Sequence, residues 1–110
     1  MTRARRTPEG RVLQQIEDYL RCCPAVRWWR NTPGKLPGYK IANPGQPDIL
    51  GYVVGGWLIA IEVKAPGGKL SVEQAAWLAD AKAAGVACGV VYSVEEAAAI
   101  VGEAVGRLAP

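Results

Sequence analysis

The chain has 110 residues, half of them hydrophobic, and a formal net charge of +3. This length predicts a single domain over residues 1–110, and no apolar run approaches the roughly 20 residues that span a bilayer. The chain has no histidine, and its three cysteines lack CxxC spacing. The composition therefore argues against a disulfide framework, a zinc site and catalysis by a histidine base.

The basic residues are concentrated in the first part of the chain. Residues 1–40 carry nine Lys or Arg and three acidic residues, whereas residues 41–110 carry four and seven. This asymmetry favours a surface that faces a polyanion, although a solvated helix and a frayed tail would give the same counts. No apolar signal segment follows the basic N-terminus, so we expect a cytoplasmic protein with no membrane partner.

The first predicted elements are a helix and a strand. After residues 1–6, which we expect to be disordered, Thr7 is a suitable N-cap and apolar residues recur at helical spacing to about Arg21. Residues 25–31 are typical of a strand, in which the adjacent Trp28 and Trp29 point to opposite faces. One tryptophan should be buried, and the other would stack on a base or pack in a subunit interface.

A long loop is predicted for residues 32–47, which include four prolines and three glycines. Loops of this length in small domains are often functional. With Lys35, Tyr39 and Lys40, the segment is interpreted as a flap that contacts DNA or a partner; a disordered insertion is the alternative.

The remainder of the chain predicts a hairpin followed by a βαβ unit. Two apolar strands meet at Gly55-Gly56, and the second ends at residue 64. Capping-box patterns at Ser71 and Ser93 open helices at about 72–84 and 94–108, and the apolar run 86–92 lies between them as a parallel strand. The resulting order, αβββαβα, predicts an α/β fold of the α+β type with a mixed sheet.

Three charged residues lie at the ends of the two apolar hairpin strands. Glu62 and Lys64 are two residues apart and therefore share a face. A two-residue turn would put Asp48 on the opposite face from Glu62, whereas a three-residue loop would place it opposite residue 62 or 64. We expect the three-residue loop or a bulge.

The same three residues suggest a metal site. Burying the charge of a carboxylate at the end of a strand costs free energy unless the charge is paired. Glu62 has only Lys64 as a local counterion. Asp48, Glu62 and the backbone carbonyl of Val63 supply the oxygen ligands that Mg²⁺ or Mn²⁺ prefers. Lys64 would then orient or deprotonate an attacking water. An ordinary ion pair between Asp48 and Lys64 is the alternative.

These motifs resemble a known nuclease signature. The residues "PD" at 47–48 and "EVK" at 62–64 resemble the PD-(D/E)XK pattern. More narrowly, "GQPDILG", "AIEVKAPGGKLSVEQ" and "GVACGVVYSVEEA" resemble the virus-type replication-repair nuclease (VRR-NUC) domain over about residues 7–100. The resemblance implies a restriction-endonuclease-like αβββαβ core, here with an extra C-terminal helix, and metal-dependent hydrolysis of phosphodiesters.

The resemblance also implies roles for individual residues. Asp48, Glu62, Lys64 and Gln74 match the catalytic positions, and Glu9 resembles the acid that completes the metal shell. Glu17 competes with Glu9 for that role. The resemblance further assigns Arg30 and Asn31 to an R-N pair on the first strand, which we expect to contact DNA. Lys69, in a loop that fails the phosphate-loop pattern, is also expected to contact a phosphate.

The expected function is a Mg²⁺- or Mn²⁺-dependent, structure-selective DNA endonuclease. By resemblance it would act as a homodimer on branched DNA, with a four-way (Holliday) junction as the expected substrate in phage or bacterial recombination and repair. Two other functions stay open: a non-catalytic nucleic-acid-binding module on the same fold, and a structural domain whose carboxylates only form ion pairs.

Overall fold

The computed structural model describes residues 7–31 and 45–107, so the predictions for residues 1–6, the 32–44 part of the flap and residues 108–110 lie outside it. The elements follow the predicted αβββαβα order. They are α1 (Pro8–Arg21), β1 (Val26–Arg30), β2 (Ile49–Val53), β3 (Leu58–Val63), α2 (Val72–Ala83), β4 (Ala87–Val91) and α3 (Val94–Gly106). None of the described helices is long and apolar enough to cross a membrane.

The four strands form one mixed sheet in the order β1-β2-β3-β4. β2 is antiparallel to both of its neighbours, β1 and β3, and β4 runs parallel to β3 because α2 carries the chain back across the sheet. The predicted mixed α+β architecture is therefore confirmed.

Different helices pack against the two faces of the sheet. Alternate strand residues such as Ile49, Ile59 and Ile61 pack against α1 and α3 in the larger core cluster. Residues of the opposite parity, among them Ala60 and Cys88, pack against α2 in a smaller cluster. Glu62 has the same parity as Ala60, so the candidate site belongs to the face that α2 covers.

The helix starts agree with the predicted caps, with one difference. Thr7 accepts from the backbone N–H of Gly10, and Ser71 forms a full capping box with Gln74. At α3, the Ser93 hydroxyl accepts from Glu96 N–H, but Glu96 Oε1 accepts from the N–H of Tyr92 at 2.6 Å. The second capping box therefore reaches one residue further back than the sequence pattern predicts.

The hairpin between β2 and β3 has a three-residue loop, as we expected. Ile49 pairs with Ile61 and the register continues to Tyr52 and Leu58, so the loop consists of residues 54–56. Gly55 and Gly56 have φ values of 116° and 107°, which side chains with a Cβ rarely adopt. Continued by one residue, this register places residue 48 opposite residue 62.

Candidate active site

The ends of β2 and β3 bring Asp48, Glu62 and Lys64 to one edge of the α2 face. Glu62 is buried, with only 2% of its surface exposed. The Lys64 Nζ lies 3.6 Å from Glu62 Oε2, and the lysine side chain is itself largely buried. The acid, acid and lysine that the sequence singled out therefore form one cluster.

Asp48 is held from both neighbouring strands. Its backbone carbonyl accepts a 2.8 Å hydrogen bond from the N–H of Asn31, at the end of β1. Its side-chain Oδ2 accepts a 2.8 Å hydrogen bond from the N–H of Val63, on β3. These two contacts fix the Asp48 carboxylate beside Glu62.

The environment of Glu62 favours the protonated carboxyl. Burial, and after it the negative charge of Asp48, raises the pKa of Glu62 from 4.5 to about 7, even though the positive charge of Lys64 opposes the shift. Among the described residues, the buried Glu62 Oε1 has no hydrogen-bond partner. Two adjacent carboxylates that are both ionised require a cation between them, and the unpartnered oxygen provides a place for one.

Gln74 joins the first turn of α2 to the site. Its Oε1 accepts from the Ser71 N–H at 2.9 Å, which is the capping contact. Its Nε2 donates to Glu62 Oε2 at 3.0 Å. The capping role and the site role predicted for Gln74 therefore coexist in one side chain.

The donor set fits a hard divalent cation. Mg²⁺ is usually held by one or two carboxylates, with waters and substrate phosphates completing its shell. Asp48 and Glu62 provide two carboxylates, and the Val63 carbonyl lies between Glu62 and Lys64 in the chain. Within residues 7–31 and 45–107, no group of three His, Cys, Asp or Glu side chains is placed to hold a metal. A complete protein cage is thus absent from this part of the chain.

The two acids of α1 differ in their surroundings. Glu17 is buried, and its Oε2 lies 3.2 Å from Nε of Arg30. Glu9 is exposed in the first turn, and its charge contributes to raising the pKa of Glu62. The charge of Glu9 therefore acts on Glu62, but Glu9 does not form a three-carboxylate group with Asp48 and Glu62.

The residues predicted to contact DNA have varied surroundings. Arg30 pairs with Glu17, and the Asn31 side chain donates to Gln46 Oε1 at 2.8 Å and to the Pro47 carbonyl at 3.1 Å. Lys69 is exposed in the loop after β3. The other three, Lys35, Tyr39 and Lys40, lie outside the described residues.

The sequence reasoning assigned Gly45 to the loop that positions Asp48, but it missed the contacts that Gly45 and Asn31 make. Asn31 forms hydrogen bonds to Gln46, Pro47 and Asp48 and so holds the segment that carries Asp48. We call these bonds the Asn31 clamp. The position of Asn31 after a strand did not indicate this role. Gly45, with φ of 87°, lies so close to α2 that an added Cβ would be 2.3 Å from the Glu73 carbonyl oxygen. A glycine just before "PD" indicates that the backbone there lies close to another part of the protein. The sequence does not show that this part is the first turn of α2, because Glu73 is distant from Gly45 along the chain.

The four-stranded mixed sheet and its flanking helices are consistent with a restriction-endonuclease-like core, and the family model described next makes this a nuclease-type domain. The VRR-NUC domain family model matches residues 3–95. The chain belongs to the VRR-NUC family, as the sequence motifs indicated.

Comparison with solved structures supports this fold assignment. A structure titled "VRR_NUC domain" has a TM-score of 0.66 at 21% identity, and the match covers 87% of this chain and 96% of the other. At this identity the match is evidence of a shared fold alone. A search of curated proteins finds no match to the sequence.

Proposed function

We propose that the protein is a Mg²⁺- or Mn²⁺-dependent endonuclease that hydrolyses phosphodiester bonds in DNA. The observation that carries the proposal is the placement of Asp48 beside Glu62, with an unpartnered buried oxygen on Glu62 and the Lys64 ammonium 3.6 Å from its other oxygen. Family membership supports nuclease chemistry in general. The metal requirement and the type of substrate are parts of the proposal.

Each side chain has a distinct role in this proposal. Asp48 and Glu62 hold the divalent cation, with the Val63 carbonyl as a further oxygen ligand. The cation would stabilise negative charge on the phosphoryl group and lower the pKa of a water molecule. Lys64 orients the attacking water, and Gln74 keeps the Glu62 carboxylate in place through its 3.0 Å hydrogen bond.

We also propose that the preferred substrate is branched DNA and that the active form is a homodimer. A nuclease domain of this size is expected to hold DNA mainly through its phosphates. Since phosphate contacts carry no sequence information, we expect it to select DNA by shape rather than by base sequence. A two-fold dimer would present two sites to the opposed strands of a four-way junction. Sedimentation of the protein, together with paired symmetric incisions in a junction, would test this part separately.

The cleavage assay uses a labelled four-way junction, a flap and a linear duplex, each with Mg²⁺, Mn²⁺ or EDTA. Asp48→Ala and Lys64→Ala are compared with Asp80→Ala and Lys82→Ala, which remove the same charges from exposed positions on α2. We expect cleavage only with metal, and a loss of about a hundredfold or more for the site variants alone. Cleavage that survives both site substitutions would refute the assigned site.

The second candidate function is a non-catalytic nucleic-acid-binding module on the same fold. The observation in its favour is the excess of basic residues in the first 40 positions. Binding of DNA at low salt, with no cleavage under any metal condition, would support the module and refute the endonuclease.

A further inference from the structure

An aromatic patch lies on the sheet face that α2 only partly covers. Trp29 on β1 and Tyr52 on β2 are 46% and 44% exposed, and Leu58 beside them on β3 is 41% exposed. The two rings meet edge to face, with centroids 6.5 Å apart and an interplanar angle of 61°. We call Trp29, Tyr52 and Leu58 the aromatic patch.

The patch lies on the same face as the candidate active site. Trp29 pairs with Leu50, and Tyr52 lies two residues beyond Leu50 on the same strand. Side chains two apart share a face, so Asp48, Leu50 and Tyr52 form one row along β2. At ~3.3 Å per residue, Tyr52 is about 13 Å and Trp29 about 7 Å along the strand direction from Asp48.

A positive charge adjoins the patch. Arg27 pairs with Tyr52 across β1 and β2 and shares the face of Trp29. Its guanidinium donates to the carbonyl oxygens of Pro24 and Val26 at 2.7 and 3.3 Å. Among the described residues it forms no salt bridge with a carboxylate, so its charge remains available for a phosphate.

We infer that the aromatic patch stacks an unpaired base of the DNA strand whose phosphate occupies the candidate active site. Half-exposed aromatic rings beside an arginine are the means by which proteins bind single-stranded nucleic acid. The inference rests on the proposed function, because the location of the cut strand defines which nucleotide reaches Trp29.

The size of the patch favours a nucleotide over a second copy of the chain. From the exposed fractions of its three residues, the patch presents on the order of 300 Å² of surface. A stable protein interface needs about 800 Å² on each partner. A base and its phosphate match both the patch area and the positive charge of Arg27.

The inference narrows the substrate class. In a fully paired duplex the bases are stacked within the helix, and none is available to a sheet surface that lies about 7 to 13 Å from the candidate active site. A flap, a bulge or an open junction supplies an unpaired base there. We therefore expect the enzyme to favour DNA with an unpaired nucleotide within a few positions of the cut.

The test measures binding in EDTA, so that cleavage does not interfere. The DNA is a flap with 2-aminopurine as the first unpaired base, compared with a duplex of the same sequence. The variants are Trp29→Ala, Tyr52→Ala and Trp29→Phe. Val105→Ala, an equally exposed apolar residue on α3, is the matched control, and melting curves verify that each variant is folded.

Binding of the flap by the unsubstituted protein should quench the fluorescence. Trp29→Ala should weaken flap binding about tenfold or more and abolish the quenching, with duplex binding changed by less than about twofold. Trp29→Phe should restore both signals, and Val105→Ala should change neither.

Other results would overturn the inference. If Trp29→Ala weakens flap and duplex equally, or changes neither, the patch does not stack a base. If the unsubstituted protein sediments as a dimer that Trp29→Ala dissociates, the patch is covered by a second copy. Quenching as expected, with no cleavage when metal is added, would support the stacking and refute the proposed endonuclease.

Discussion

Gln74 Nε2 donates a 3.0 Å hydrogen bond to Glu62 Oε2, while the same side chain accepts from the Ser71 N–H to close a capping box. One residue therefore connects the start of α2 to the carboxylate that ends β3. Because both hydrogen bonds belong to the Gln74 side-chain amide, a movement of Gln74 that breaks the capping contact also disturbs its bond to Glu62. The start of α2 and the candidate site are therefore geometrically coupled.

Replacing Gln74 should affect stability and activity together. Gln74→Ala removes half of the capping box and the hydrogen bond to Glu62, and we expect roughly 1 kcal/mol of destabilisation with cleavage reduced about tenfold or more. Ser71→Ala removes a capping contact but leaves Glu62 bonded, so its cleavage should stay within about twofold at a temperature where it is folded. Equal activity losses in the two variants would contradict the coupling. Thermal melting and kcat/KM measure the two effects.

Gly45 should be sensitive to an added methyl group because of where it lies. Its φ of 87° resembles the 86° of Gly67, so Ala carries a similar backbone cost at both positions. A Cβ on Gly45 would meet the first turn of α2, whereas one on Gly67 meets no atom within 4 Å. Gly45→Ala should therefore displace Gln74 and lower kcat/KM at least about tenfold more than Gly67→Ala. Equal kinetics would show that the contact is unimportant.

The hairpin loop should tolerate alanine poorly even where space is open. Gly56 has φ of 107°, and a Cβ there would meet nothing within 4 Å. Gly56→Ala should cost about 1–3 kcal/mol from backbone strain alone. Gly102, in the middle of α3 with an equally open surrounding, should become more stable by about 0.5–1 kcal/mol as Ala. Chemical denaturation of both variants measures the free energy of unfolding, which should fall for Gly56→Ala and rise for Gly102→Ala.

The raised pKa of Glu62 predicts how stability changes with pH when no divalent metal is present. Between 4.5 and about 7 the unfolded chain releases the Glu62 proton while the folded protein keeps it. The folded state then binds more protons, so the free energy of unfolding decreases as pH rises, by about 3 kcal/mol over this range. Denaturation in EDTA at a series of pH values measures the change.

Glu62→Gln is the control for this pH dependence. The substitution removes the titrating group, so the loss of stability between pH 4.5 and 7 should be smaller by the same amount. Adding Mg²⁺ at pH 8 should raise the melting temperature of the unsubstituted protein and leave that of Glu62→Gln nearly unchanged. An identical pH slope in the two proteins would contradict the assignment.

The order of elements was predictable because local signals marked nearly every boundary. Thr7, Ser71 and Ser93 are N-caps as the sequence indicates, and the strand ends differ from the prediction by one or two residues. The register was predictable only as a choice between two turn lengths. The buried faces of β2 and β3 decide it, since a slip by one residue would turn Ile49 and Ile61 away from the core.

The site was less completely predictable than the fold. Glu62, Lys64 and Asp48 stand out because charge at the end of an apolar strand is costly. The pairing of Glu17 with Arg30 could not be read from the sequence, because it joins α1 to β1 through their relative packing. The bonds of Asn31 to Gln46 and Pro47 connect residues 15 and 16 positions apart, and nothing local indicates them.

The Asn31 clamp also makes the segment between Asn31 and Gly45 replaceable. The Asn31 side chain bonds Gln46 and Pro47, and its N–H bonds the Asp48 carbonyl, so the two ends of the 32–44 segment are joined by the folded domain itself. Doubling the length of a segment between fixed ends costs only about 0.6 kcal/mol. Segments of other lengths and compositions can therefore be grafted between Asn31 and Gly45 with the placement of Asp48 kept.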